Sequence, residues 1–245
     1  MGGILVLAGK DVGARTLRYL IGKEAPIEEV ILGSADDTEV ADAAKAAGIR
    51  HGTWSPATRE RLLTASHRYE WILSLWNPHI LKADILALAD RRLNLHPGHM
   101  PALRGQDTAA WAIRRGLPAG VAILDMDAGV DTGGVYVQKQ VPYEPLARGA
   151  DLFARLKVEI GDLFEEHWPA IYAGDIHPVP QGPGGNSFTR RMTNEDRVVK
   201  ADAQFTAGEF LIWARAHDFY PRSTAEIEFE GRRVKICIEI EDSDI

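Results

Sequence analysis

GGILVLAGKDVGARTLRYLIGK, residues 2–23, sets a short apolar run between glycines directly before a stretch with helical spacing. Ile4, Leu5, Val6 and Leu7 are apolar without alternation, the pattern of a strand covered on both faces. Val12, Leu17, Leu20 and Ile21 then recur at the interval that gathers one face of a helix. The couplet repeats along the chain. EEVILGS (28–34) predicts a second strand, and DTEVADAAKAAGI a helix closed by Gly48. EWILSLW (70–76) predicts a third strand, with a loop and helix in PHILKADILALA after it. RLNLH (92–96) predicts a fourth strand and DTAAWAIRRG a helix. GVAILDM (120–126) and the β-branched GVYVQKQVPY (134–143) predict a fifth and a sixth. Residues 149–174 read as one long amphipathic helix ending at a glycine. Strands alternating with helices predict an α/β fold with a Rossmann-like, doubly wound, mainly parallel sheet.

The texture changes at DIHPVPQGPGGNS (175–187), rich in Pro and Gly. It predicts a domain over 1–175, a linker over 176–187 and a small C-terminal subdomain over 188–245. That subdomain would hold a helix in TAGEFLIWARAHDF and a β-hairpin in TAEIEFEGRRVKICIEIE, where apolar and polar residues alternate on both sides of EGR.

The totals narrow the function classes. The 245 residues are 45% hydrophobic, enough for one sizeable core. A net charge of −7 gives no general attraction for phosphate backbones. TRRM (189–192) and GRR (231–233) are too short to be a basic patch, so no nucleic-acid partner is expected. The single cysteine, Cys237, excludes a disulfide framework and a cysteine-rich zinc site. MGGILVLAGK is broken too early by Gly and Lys for a secretory signal, and no apolar run reaches the length of a membrane span. A reduced, cytoplasmic setting with no membrane partner is the expectation. AGKDVG (8–13) lacks the glycine spacing of a dinucleotide loop, and no G-x-S-x-G elbow suggests a hydrolase.

LNLHPGHMPALRG (93–105) carries the first chemical signal. Residues two apart in a strand share a face, so Leu93 and Leu95 face one layer and Asn94 and His96 the other. Pro97 and Gly98 end the strand, and ligands of open α/β sheets bind outside the carboxyl ends of strands. Two polar groups at that rim are either a functional pair or strand-end polars satisfied by neighbouring loops. His96 and His99 do not suggest a metal, because Pro-Gly separates them and no third ligand stands in register. ILDMDAGVDTGG (123–134) is the second signal, with Asp125, Asp127 and Asp131 among glycines at a strand end. Such a loop could supply a general base or be an ordinary Gly/Asp turn.

Taken together, N-x-H-P, LRG (103–105) and MDAGVDTGG, with His96 and Asp131 35 residues apart, resemble the formyltransferase family that uses 10-formyltetrahydrofolate. That family includes enzymes acting on glycinamide ribonucleotide, methionyl-tRNA and nucleotide-linked amino sugars. The resemblance covers residues 1–175 well and the tail loosely. It implies catalytic roles for Asn94, His96 and Asp131. It implies a folate slot at Leu75, Trp76, Asn77, Ile80 and Leu81 and at Asp125, Asp127, Ala128, Gly129 and Val130. Gly98, Met100, Arg104, Gly105 and Lys82 are the expected substrate contacts. Many relatives carry a serine after His-Pro where this chain has Gly98, which alters the loop contacts to substrate.

The resemblance implies an N-formyltransferase without a metal. The run from DTGGVYVQKQVPYEP into LFARLKVEIGDLFEEHWPAI looks more like the sugar-modifying branch. A nucleotide-linked amino-deoxysugar is therefore the expected acceptor. A hydroxyornithine-type amine, glycinamide ribonucleotide and methionyl-tRNA are the alternatives, and a folate-binding protein on the same fold is the non-enzyme reading. A homodimer through the C-terminal hairpin is expected, since two alternating strands bury little by themselves.

Overall fold

The computed structural model describes residues 2–65 and 67–240. It opens with β1 (Ile4–Ala8), α1 (Lys10–Gly22), β2 (Ile27–Leu32), α2 (Thr38–Ala46) and β3 (Arg50–Thr53). Next come α3 (Pro56–Thr64), β4 (Tyr69–Leu75), α4 (Ala83–Leu86) and β5 (Ala89–His96). β6 (Arg104–Gly105), α5 (Thr108–Arg115), β7 (Gly120–Leu124), β8 (Val135–Gln140) and α6 (Gly149–Ala173) follow. The last stretch holds β9 (Ser187–Phe188), α7 (Arg190–Asp196), β10 (Val198–Lys200), α8 (Ala207–Ala216), β11 (Ala225–Phe229) and β12 (Arg232–Ile236). The chain forms two compact units. One gathers Met1–His96, Val121–Lys139 and Val158–Gly182; the other gathers Pro97–Gly120, Gln140–Lys157 and Pro183–Ile245. Residues 241–245 of the expected C-terminal subdomain lie outside the described residues.

The first unit is built on a seven-stranded sheet in the order β3-β2-β1-β4-β5-β7-β8. β1 to β5 are parallel, and β7 runs antiparallel to β5 with Asn94 opposite Leu124 and His96 opposite Ala122. This is the mixed α/β fold with a mainly parallel sheet that the strand–helix couplets predict. Every residue of β1 is fully buried, which is why its sequence shows no alternation. Leu5 and Leu7 pack with Leu62 of α3 and Ile85 and Leu86 of α4 on one face. α1 covers the sheet with α6: Tyr19 meets Phe164 edge-on at 6.0 Å, and Arg15 pairs with Glu165 at 2.7 Å. Gly13 lets α1 lie close, because a Cβ there would stand 2.7 Å from the Leu75 carbonyl oxygen. Strand order reverses between β1 and β4, so the loops leaving their carboxyl ends flank the switch point where such sheets bind ligands.

The sequence pattern did not reveal β3. Its residues, RHGT, are half-buried or exposed, and it holds the sheet edge by backbone pairing from Glu29–Arg50 to Leu32–Thr53. β8 stops at Gln140, short of the expected 143, just before Pro142, which has no N–H to give a ladder. β7 ends at Leu124, where the Asp125 N–H donates to the Gly134 carbonyl at 2.8 Å and turns the chain.

In the second unit, Trp111 stacks on Phe188 at 4.5 Å, and Trp213 packs against Phe205 at 5.6 Å. β10, β11 and β12 form a small sheet. β11 and β12 are the expected hairpin, joined through Glu230 and Gly231, both at positive φ (47° and 72°) as a tight two-residue turn requires.

Candidate active site

β5 delivers two polar side chains to its carboxyl end. Leu93 and Leu95 are buried in the core on the other face. His96 is 3% exposed, and its neighbour two residues back, Asn94, is half-buried. Both turn to one carboxylate. Asn94 Nδ2 donates to Asp131 Oδ1 at 3.2 Å, and His96 Nδ1 lies 3.4 Å from Asp131 Oδ2. A carboxylate facing Nδ1 favours a proton there and turns the other ring nitrogen, Nε2, away from Asp131.

Asp131 reaches both from a constrained loop. Its φ is +53°, a left-handed conformation that Asp tolerates better than most side chains. Gly133 closes the loop against the end of β7, where a Cβ would stand only 2.1 Å from the Asp125 carbonyl oxygen. Asp127 Oδ1 accepts from the Gly129 N–H at 2.9 Å and from the Thr132 hydroxyl at 2.6 Å, an Asx-type brace. From the far end of the unit, Gln181 Nε2 donates to the carbonyls of Asp131 and Gly133 at 2.8 and 2.7 Å. Among the described residues no cluster of three or more His, Cys, Asp or Glu side chains is arranged to hold a metal ion.

Residues 67–161, which carry Asn94, His96 and Asp131, match the family model described as formyl transferase. That stretch is similar to a formyl transferase domain. The chain is 33% identical over 147 residues to methionyl-tRNA formyltransferase of Roseiflexus sp. (strain RS-1), covering 59% of this chain and 45% of that protein. It is 28% identical over 186 residues to dTDP-4-amino-4,6-dideoxyglucose formyltransferase of Mycobacterium tuberculosis, covering 74% and 78%. A 4-N formyltransferase from Francisella tularensis shares the fold with a TM-score of 0.84, at 19% identity over 99% of both chains. The chain spans about half the length of the methionyl-tRNA formyltransferases it matches.

Two loops of the matched stretch hold the residues expected to receive the folate. In 75–81, Leu75 and Leu81 point into the core, so their side chains are not open to a ligand. Trp76 takes a positive φ of 63°, and Ile80 is 69% exposed. His79 ties this loop down: its Nε2 donates to the Gly33 carbonyl at 2.7 Å, and its ring stacks on Trp54 at 5.7 Å. Asn77 Nδ2 donates to the His79 carbonyl at 2.8 Å. In 125–130, Asp127, Ala128, Gly129 and Val130 are exposed. Asp125 is engaged within the protein, accepting from the Met126 N–H at 2.8 Å and standing 3.5 Å from Arg92 Nε. Burial pushes the Tyr136 hydroxyl up to about 12, so it stays protonated and donates to the Arg92 carbonyl at 3.3 Å.

The expected substrate contacts fall in both units. Lys82 is exposed at the start of α4 in the first unit. Gly98, Met100, Arg104 and Gly105 belong to the second unit. Met100 is buried there, Arg104 Nη1 donates to the Gly184 carbonyl at 3.2 Å, and Gly105 takes φ +88° against Phe188. His99, two residues from Pro97, has its imidazole pushed below the usual histidine range by burial. Gln181, His79 and Arg92 were not singled out in the sequence. Each works through backbone oxygens or a neighbouring carboxylate, and such contacts leave no periodic trace.

Proposed function

We propose that this protein is an N-formyltransferase that moves a formyl group from 10-formyltetrahydrofolate to the amine of a nucleotide-linked amino-deoxysugar. The convergence of Asn94 and His96 on Asp131 at the end of β5, inside a stretch similar to a formyl transferase domain, carries this reading. The exposed apolar side chains of Ile80 and Val130, one on each folate loop, suit a flat ring system. In the reaction the amine bonds to the formyl carbon, the bond to the folate nitrogen breaks, and one proton passes from the amine to that nitrogen.

Charge develops on the formyl oxygen. The second amide proton of Asn94 and the Nε2–H of protonated His96 stabilise it from fixed positions. Asp131 holds both donors in place, offsets the imidazolium charge and takes the amine proton, directly or through a water. Loops 75–81 and 125–130 hold the folate. Orientation of the two reactants supplies the rest of the acceleration.

The acceptor reading is supported by how much of this chain is matched: 74% by the amino-sugar enzyme and 59% by the tRNA enzyme. The net charge of −7 opposes nucleic-acid binding. The higher identity to the tRNA enzymes, 33% against 28%, keeps methionyl-tRNA as the second reading. The functional form is a homodimer through β11 and β12 in the cytoplasm. To test the activity, the protein is incubated with 10-formyltetrahydrofolate and each of several acceptors. These are dTDP-, UDP- and GDP-linked amino sugars, glycinamide ribonucleotide, hydroxyornithine and charged initiator tRNA. Formylation of an amino sugar is expected. Transfer only to a non-sugar amine or to tRNA overturns the acceptor, and no tetrahydrofolate release with any acceptor overturns the chemistry.

A further inference from the structure

We propose that Gln181 is a positioning residue for the reaction, a splint that fixes the backbone from which Asp131 reaches His96 and Asn94. The inference rests on the reading of Asp131 as catalytic. Two carbonyl oxygens, those of Asp131 and Gly133, stand 2.8 and 2.7 Å from one terminal atom of the Gln181 side chain. Only a donor is stable between two acceptors, so that atom is the amide nitrogen and its two protons serve the two carbonyls.

Those carbonyls flank Thr132, so the amide grips the loop on both sides of one peptide. The grip matters because Asp131 itself sits at φ +53°, a conformation that persists only where the surroundings hold it. The rest of the segment supports the same loop. Val179 and Val135 exchange two backbone hydrogen bonds of 2.8 and 2.9 Å, and Pro178 packs beside Gly134. Residues 178–181 therefore lie along 131–135 as a second strand would. Gln181 binds the backbone of the loop, and the Asp131 carboxylate meets Asn94 Nδ2 and His96 Nδ1. Its effect passes through Asp131, which makes it positioning rather than catalytic.

Gln181→Leu keeps the bulk and removes both donors. Gln181→Glu keeps the shape and places a carboxylate oxygen against two carbonyls, but regains a donor when protonated. With the full chain, kcat, KM for folate and acceptor, melting temperature and amide hydrogen exchange over 125–134 are measured. Gln181→Leu is expected to lower kcat by roughly 10–10²-fold, the scale of a misplaced catalytic group. The KM for the acceptor should stay within about threefold, whereas the KM for folate should rise as 125–130 loosens. Exchange over 125–134 should rise about tenfold while that of β1 and β4 is unchanged. Gln181→Glu should regain part of its loss below about pH 5, as its carboxyl takes up a proton. A kcat within twofold of wild type, or unchanged exchange over 125–134, overturns the proposal. If Gln181→Leu does not fold, the acid recovery of Gln181→Glu decides alone, and its absence overturns the proposal. Asp131→Asn in the same assay separates the two readings. If it is fully active the catalytic reading of Asp131 fails; if it is inactive while Gln181→Leu is not, the splint fails. Should the wild type transfer no formyl group, the exchange comparison still decides the splint.

Discussion

Asp131 joins two side chains that strand periodicity already puts on one face. Removing any of the three should leave a folded protein, because Asn94 and Asp131 are at the rim of the core and His96 ends its strand. Asn94→Ala, His96→Ala and Asp131→Ala should each lower turnover by ~10²–10³-fold, the usual cost of one oxyanion donor or its partner. Initial-rate kinetics beside thermal melts check this, and near-normal turnover in any variant removes that residue from the assignment. Gly133→Ala is a sharper probe of the loop. The new methyl would meet the Asp125 carbonyl at 2.1 Å, so the loop must shift. A loss of about 1–3 kcal/mol of stability and a fall in turnover are expected; a neutral variant would show that the loop yields. Asn94 and His96 were legible because spacing by two predicts a shared face. Their meeting with Asp131 was legible only through the family pattern, since 35 residues separate them and no local rule joins a strand end to a loop. Gln181 was not legible at all: a glutamine between prolines and glycines gives no signal that it binds carbonyls 50 and 48 residues earlier.

At the scale of elements, the central strands announced themselves through unbroken apolar runs, and the C-terminal hairpin through alternation around EGR. β3 did not, because an edge strand with polar residues is held by backbone bonds that any sequence can make. Nor did the pattern reveal how α5, α7 and α8 are tied. Asp196, the last residue of α7, accepts from Arg114 Nε of α5 and from His217 Nε2 after α8, each at 2.8 Å, and its carbonyl accepts from Trp213 Nε1 at 2.7 Å. Burial alone would push this carboxyl up, but the bonds from His217 and Arg114 outweigh it and hold Asp196 below the usual carboxylate range. A depressed folded value means the unfolded chain binds the proton more readily. The stability it contributes is fully present above the unfolded carboxylate value of about 3.9 and is lost as pH falls through the lower folded value. Asp196→Asn should therefore cost about 2–3 kcal/mol at pH 7, the scale of hydrogen bonds to a charged group. Its deficit against wild type should shrink below about pH 4. Urea unfolding at both pH values tests this. An equal deficit at both would mean that the charge contributes nothing.

For the whole molecule, the decisive facts lie farthest from any local pattern. Each compact unit gathers three separate stretches of chain. Breaks in composition mark where the polymer changes texture; they carry no information about which distant segments pack together. A contact between copies would depend on a face, and the alternation in the hairpin predicts one. The pairing of Ala225 with Ile236, Ile227 with Val234 and Phe229 with Arg232 puts these six residues on one side of the hairpin, five of them apolar. Trp213 and its cluster cover the Ala225 end of that side. Phe229 and Val234 at the other end remain 51% and 46% exposed. Charged residues occupy the opposite side, where Glu226 pairs with Arg197 at 2.9 Å. A sheet apolar at one end and open there gains by covering that end, at about 25 cal/mol for each Å² removed from water. A second copy offers the same patch about a twofold axis, which is the self-complementary arrangement of most homodimers. Light scattering on a sizing column should give twice the 27.0 kDa of one chain. Phe229→Lys with Val234→Lys should shift the protein toward monomer while leaving the fold of the first unit intact by circular dichroism. A wild-type monomer at every concentration, or a dimer indifferent to both lysines, would rule out this face as the contact.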